Sequence, residues 1–104
     1  MSKKYIKSDF RSLEMHSLIA DKIKENPGFL DVAKNNLARW RASYGNKPIP
    51  YYIVEWEVIL QKPLSDIVKF LKATTQRAQQ LRSSTPFTGI LTEEERMAIF
   101  EKYR

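Results

Sequence analysis

The chain has 104 residues, with 18 Lys or Arg and 12 Asp or Glu, so its formal net charge is +6. It has no cysteine and one histidine, which excludes disulfides, thiolate nucleophiles and cysteine-ligated metal sites, and also His-pair metal sites within one chain. The length and the 42% apolar fraction fit one small globular domain. We therefore expect a single domain with no metal and no cofactor.

The chain is predicted to consist of a flexible basic arm, residues 1–8, and one helical domain, residues 9–104. Apolar side chains recur at helical spacing from about Ser12 to Lys24, which predicts the first helix there. The basic start is not followed by an apolar stretch of the kind found in secretory signals. No segment approaches the ~20 apolar residues that span a bilayer, so we expect a cytoplasmic protein.

The second helix has the clearest boundaries. Asn26 is a favoured N-cap and Pro27 suits the first helical position, while Gly45 is a typical C-terminal stop. Between them, apolar residues recur at helical spacing through Trp40 and Tyr44. The sequence therefore predicts a helix that begins at the Asn26-Pro27 pair and ends at Gly45.

The segment from Tyr51 to Leu60 fits two structures. Its apolar residues alternate as in a strand, but they also share a helical face, and Pro50 suits a helix start. No second segment could pair with a strand here, and a lone strand leaves its backbone groups unsatisfied. We therefore predict a helix.

Two or three further helices complete the chain. One follows Pro63, and Thr74-Thr75 marks a break or a cap before another helical stretch, Gln76–Arg82. The last helix begins at Thr92, where Glu95 three residues later completes a capping box. The predicted fold is all-α, a compact bundle of about five short helices.

Positive charge is concentrated in the first half of the chain, where residues 1–50 hold ten basic and five acidic side chains. Basic side chains neutralise phosphates, and aromatic side chains among them stack on bases. A nucleic-acid-binding surface is therefore one hypothesis, and it would use Lys3, Lys4, Lys7, Arg11, Lys34, Arg39 and Arg41.

A polar loop, residues 83–89, joins the last two helices and holds an aromatic residue. A phenylalanine in such a loop either fills the core or anchors a partner. Core filling is the ordinary outcome. The partner-binding hypothesis assigns Arg82, Ser84 and Phe87 to a protein interface, and Arg82 could bond a carboxylate or the chain's own carbonyls.

Arg11 and His16 are separated by four residues, a spacing that resembles the R-x4–6-H motif of the HEPN family of small helical domains. That family includes ribonucleases in which the Arg and His act on the RNA backbone. The resemblance implies a ribonuclease in which His16 moves a proton and Arg11 holds a phosphate. Family members usually carry the motif later in the domain, whereas here it opens the first helix.

Over most of its length the chain also resembles a group of small uncharacterised bacterial proteins that are often encoded beside toxin-like nucleotidyltransferase genes. The likeness lies in Glu14–His16, Asn36–Trp40, Glu55–Trp56 and Leu81–Phe87, with Gly89 and Glu94–Arg96. It implies an antitoxin or accessory role and assigns no activity or functional residue.

Three hypotheses remain. The favoured one is a non-enzymatic protein-binding module, an antitoxin or inhibitor that masks a neighbouring toxin-like protein, because no set of residues assembles a convincing active site. The alternatives are a nucleic-acid-binding regulator and a HEPN-like ribonuclease. The partner's identity and the oligomeric state are left open.

Overall fold

The computed structural model describes residues 4–104, and this part of the chain forms six α-helices and one short 3₁₀ helix without a strand. The expected all-α fold is confirmed, with six helices rather than about five. In chain order they are α1 (Lys7–Glu25), the 3₁₀ helix (Pro27–Phe29), α2 (Leu30–Tyr44), α3 (Tyr51–Ile59), α4 (Leu64–Lys72), α5 (Gln76–Arg82) and α6 (Glu93–Lys102).

Helix α1 begins at Lys7, which is earlier than the predicted start at Ser12. The Asp9 carboxylate accepts a hydrogen bond of 2.9 Å from the backbone N–H of Ile6 and so satisfies a donor at the helix N-terminus. Lys7 and Ser8 are therefore helical and do not belong to an arm. The side chain of Tyr5 donates to the Thr75 carbonyl at 3.0 Å, which ties this end of the chain to the start of α5.

Helix α2 has the predicted limits except in its first turn. The Asn26 side chain accepts from the Gly28 N–H at 3.1 Å, and this turn is 3₁₀ rather than α-helical. Gly45 ends α2 with a φ of 56°, a left-handed value that glycine adopts without strain.

The segment that fitted both strand and helix is helix α3, so this prediction is confirmed. Its buried face carries Ile53, Trp56 and Ile59. The predicted capping box of α6 is also present, since Thr92 N–H donates to Glu95 at 2.8 Å and Glu95 N–H donates to Thr92 at 3.1 Å.

Helix α1 is central, because it packs along α4 and also contacts α5 and α6, while α2 packs against α3. Trp56 of α3 is fully buried, and its indole N–H donates to the Leu81 carbonyl of α5 at 3.0 Å. Its ring meets those of Phe70 and Phe87 at centroid distances of 5.7 and 5.5 Å. Trp56 thereby joins α3, α4 and the loop after α5 in one core.

Candidate functional site

The loop after α5 is part of the core, which bears directly on the predicted protein interface. Phe87 is 1% exposed and Arg82 is 2% exposed, while Ser84 is half-buried. Phe87 therefore takes the core-filling role, and in this structure neither Phe87 nor Arg82 reaches the surface to contact a partner.

Arg82 is buried because it satisfies backbone carbonyls. Its guanidinium donates to the Ala73 carbonyl at 2.7 Å and to the Leu71 carbonyl at 3.5 Å, both at the C-terminal end of α4, and to the Tyr5 hydroxyl at 3.0 Å. The last carbonyls of a helix lack intrahelical donors and carry partial negative charge. Arg82 thus stabilises the end of α4, and of its nitrogens only Nε lacks a hydrogen-bond partner.

His16 is 3% exposed, and both of its ring nitrogens bond within the protein. Nδ1 lies 2.7 Å from the Ser12 carbonyl, which can only accept, so Nδ1 carries the proton. Nε2 then accepts from the Thr85 hydroxyl at 2.8 Å, and Thr85 Oγ1 in turn accepts from the Phe87 N–H at 3.1 Å. Burial lowers the pKa of His16 to about 4. At neutral pH the ring is therefore neutral and holds the loop.

Arg11 and His16, the pair in the ribonuclease hypothesis, line one cleft of about 330 Å³ but have different surroundings. The Arg11 guanidinium lies over the Phe100 ring, 4.5 Å from its centroid. A general base needs a ring nitrogen within hydrogen-bond reach of the substrate. Because both nitrogens of His16 are already bonded, the cleft as built gives a substrate no such nitrogen.

Several basic residues of the nucleic-acid hypothesis are engaged within the protein. Lys3 lies outside the described residues. Arg41 forms two hydrogen bonds with Glu57, and Arg39 donates to the side chain of Asn36. Lys7 donates to the Arg104 carbonyl at 2.5 Å. The others, Lys4, Arg11 and Lys34, form no ion pair with the residues of the range 4–104.

A groove of about 1000 Å³ lies between α2 and the C-terminal end of α3. Its floor is apolar and is formed by Leu30, Leu37, Leu60 and Ile67 together with the exposed methyl groups of Ala38 and Ala42. The two alanines lie one turn apart on α2 and have no side chain beyond Cβ. Their small size keeps the groove open along that helix.

The rim of this α2–α3 groove is mostly basic. Arg41 and Glu57 face each other across it, 2.7 Å apart, and their hydrogen bonds lower the pKa of Glu57 and raise that of Arg41. Lys34 and Lys62 also line the groove, and neither has an ion-pair partner among residues 4–104. The groove therefore combines an apolar floor with two uncompensated positive charges.

Helix α3 is apolar on its outer face as well. Tyr51, Val54 and Val58 are 64%, 43% and 52% exposed and lie along one side of the helix, opposite Trp56. We call these three residues the α3 stripe. Ion pairs flank it, Glu57 with Arg41 on one side and Glu55 with Arg77 on the other.

Sequence reasoning did not identify the groove or the stripe. The sequence does carry a signal for the stripe, since a helix over Tyr51–Leu60 places Tyr51, Val54 and Val58 on one side and Trp56 on the other. The groove had a weaker signal, since it needs α2, α3 and Ile67 of α4 to come together.

Within residues 4–104 there is no group of three or more His, Cys, Asp or Glu side chains that could hold a metal ion. The same part of the chain contains no helix that is both long and apolar enough to cross a membrane. Comparisons with models of known protein families, with curated proteins and with solved structures found no match to this chain.

Proposed function

We propose that this protein is a non-enzymatic protein-binding module whose α2–α3 groove receives an apolar, acidic segment of a partner protein. The observation that carries the proposal is the apolar floor of the groove, of about 1000 Å³, beneath a rim with the unpaired Lys34 and Lys62. In the biological role that we favour, an antitoxin or inhibitor, the groove would cover a segment of a toxin-like protein encoded next to it.

The charge of the rim selects the kind of segment. Charged groups at the edge of an interface steer association and reject partners of like charge. Lys34 and Lys62 therefore favour Asp or Glu on the partner, and the net charge of +6 acts in the same direction at longer range.

The shape of the groove supports a helical segment. Amphipathic helices bind to proteins by placing apolar residues at spacings of three and four into a hydrophobic groove. The floor runs along α2 from Leu30 to Ala42, about three turns of helix, which matches the length of such a segment.

The α3 stripe extends the surface beyond the groove. Protein interfaces have an apolar centre and a polar rim, and the stripe has this arrangement because ion pairs flank its three apolar side chains. Val58 is adjacent to Glu57 at the edge of the groove, so one partner can cover both surfaces.

Reversing the charge of the rim is expected to weaken partner binding. The tagged protein is co-expressed with the product of each adjacent gene, and a stable complex with one of them is expected on size-exclusion chromatography. The double variant Lys34→Glu, Lys62→Glu should weaken the measured affinity at least about tenfold, because two attractive contacts with an acidic segment become repulsive.

One variant acts as a control and another blocks the groove itself. Lys47→Glu reverses a charge in the loop after α2, outside the groove, and should leave binding unchanged. Ala38→Trp fills the groove from an exposed position and should block binding without loss of core packing. The proposal fails if no adjacent gene product binds, or if the groove variants bind as well as the wild type. A complex of two copies of this chain would assign the surface to self-association.

A second candidate function, binding of single-stranded nucleic acid, is favoured by one contact. The exposed Phe100 ring has the Arg11 guanidinium 4.5 Å from its centroid and that of Arg96 at 5.8 Å. Arg104 lines the same cleft, of about 360 Å³. An exposed aromatic ring among guanidinium groups provides both stacking and phosphate neutralisation.

Binding of this kind is expected to fall steeply with salt. We expect a labelled oligouridine to bind at low ionic strength, with an affinity that declines as the salt concentration rises, because the release of counterions on binding then becomes less favourable. Arg11→Glu should weaken binding and reduce the salt slope, whereas Lys24→Glu, at the far end of α1, should have a smaller effect. Binding that is absent, insensitive to salt, or equally weakened by both variants would contradict this candidate.

A further inference from the structure

A second cleft, of about 490 Å³, has a lining unlike that of the groove. It lies between the end of α2, the first turn of α3 and the loop after α5. One wall carries the aromatic rings of Trp40, Tyr44 and Tyr52, and the tyrosine hydroxyls lie 3.5 Å apart. The volume is within the range of small-molecule sites. We call it the hydroxyl cleft.

The remaining residues that line the cleft carry hydroxyl groups. Ser83, Ser84, Thr85 and Thr88 of the loop line it, and Ser43 of α2 is beside them. Every lining residue is aromatic or carries a hydroxyl, and none is Lys, Arg, Asp or Glu. In a chain with a net charge of +6, such a lining provides no cation for a phosphate or carboxylate.

The loop that lines the cleft is held in place from behind. The Asn36 amide donates to the Pro86 carbonyl at 2.8 Å and to the Thr88 carbonyl at 3.1 Å. Thr85 bonds to His16, and Phe87 is anchored in the core. The hydroxyls are thus positioned before any ligand arrives, which reduces the entropic cost of binding.

Several polar groups of the cleft are available to a ligand. The hydroxyls of Ser84 and Thr88 and the indole N–H of Trp40 form no hydrogen bond within the part of the chain that the structure describes. Each hydroxyl can both donate and accept. By contrast, the hydroxyls of Ser43 and Ser83 donate to the Trp40 and Gln80 carbonyls.

We propose that the hydroxyl cleft binds an uncharged sugar ring. Sugar hydroxyls also donate and accept at the same atom, so they match a wall of serine and threonine hydroxyls. The C–H bonds of a sugar face carry partial positive charge and are attracted to the negative face of an aromatic ring. The aromatic rings and the hydroxyls of the cleft therefore recognise the C–H bonds and the hydroxyls of one sugar ring.

Tryptophan fluorescence tests the proposal, because Trp40 lines the cleft whereas Trp56 is buried in the core. The full chain is titrated with neutral monosaccharides and disaccharides (glucose, galactose, mannose, N-acetylglucosamine and their dimers), and binding is confirmed by calorimetry. Uracil and adenine serve as uncharged ligands that stack on aromatic rings but contain no sugar ring. At least one sugar is expected to bind and to change the emission of Trp40.

Conservative variants locate the site. Thr88→Val and Ser84→Ala each remove a free hydroxyl and should weaken sugar binding about tenfold, with an unchanged circular dichroism spectrum. Ser65→Ala, an exposed serine on α4, should have no effect. The proposal is overturned if no sugar binds, if only uracil or adenine binds, or if binding survives both cleft variants. The groove variant Lys34→Glu, Lys62→Glu should bind sugar normally. A failure of the sugar-binding proposal can therefore be distinguished from a failure of the partner-binding proposal.

Discussion

Lowering the pH from 6.5 to 4 is expected to remove about 3 kcal/mol from the free energy of unfolding, because of His16 alone. The pKa of this histidine is lowered from 6.5 to about 4, mainly by burial, and also by the nearby positive charge of Arg82. One pKa unit corresponds to about 1.4 kcal/mol, so a shift of this size gives the stated loss.

The sign of this pH dependence is set by which state, folded or unfolded, binds the proton at a higher pH. Above pH 6.5 the histidine is neutral in both states and its titration contributes nothing to the pH dependence of stability. Between pH 6.5 and 4 the unfolded chain binds a proton that the folded protein excludes, so stability falls as the pH falls. Below pH 4 the folded protein also binds the proton, and the loss from His16 reaches its limit.

Three glutamates with lowered pKa values affect the free energy of unfolding only at lower pH. Hydrogen bonds to Lys102, Arg41 and Lys22, respectively, lower the pKa values of Glu14, Glu57 and Glu95 below 4.5. Their contribution to stability is present above pH 4.5 and is lost only below it. Between pH 6.5 and 4.5 these three glutamates therefore leave the free energy of unfolding unchanged, whereas His16 lowers it.

Urea unfolding at several pH values in this interval measures the effect. The wild-type midpoint should fall as the pH falls. His16→Gln keeps a polar side chain that does not titrate, and it should be less stable at neutral pH but constant across the interval. A wild-type midpoint that does not move would show that His16 is accessible to protons in the folded state, which would return it to consideration as a catalytic group.

The helices could be predicted from the sequence because their signals are local. The Thr92–Glu95 capping box and the Gly45 stop lie within a few residues of the helix ends that they define. For Tyr51–Leu60 the choice between strand and helix depends on the whole sequence instead, since no second segment could pair with a strand. The start of α1 cannot be predicted from apolar spacing, because the helix begins where the Asp9 carboxylate accepts the Ile6 N–H.

The candidate site could not be predicted in the same way, because it depends on contacts between distant residues. The burial of Arg82 depends on carbonyls at the end of α4, and the cleft at Trp40 depends on a loop that follows it by more than forty residues. From the sequence alone, an arginine beside a polar loop and a phenylalanine within it fit either a core-filling or a partner-binding role. The structure uses both side chains internally.

Phe87→Ala is expected to lower the free energy of unfolding by about 3–5 kcal/mol, the usual cost of truncating a buried phenylalanine. The side chain is 1% exposed, and the centroid of its ring lies 5.5 Å from that of Trp56 and 6.3 Å from that of His16. The loss of these contacts leaves a cavity at the centre of the molecule. It also removes the apolar anchor of the loop that carries Thr85.

The matched control is Phe10→Ala, since Phe10 is 47% exposed and should cost less than about 1 kcal/mol. Urea unfolding of both variants at neutral pH gives the comparison. The result also decides between the two roles predicted for Phe87. If the side chain fills the core, the free protein is strongly destabilised. If Phe87 instead lies exposed in the free protein and anchors a partner, the free protein is barely affected and only partner binding is lost, an outcome that would restore the loop as the protein interface.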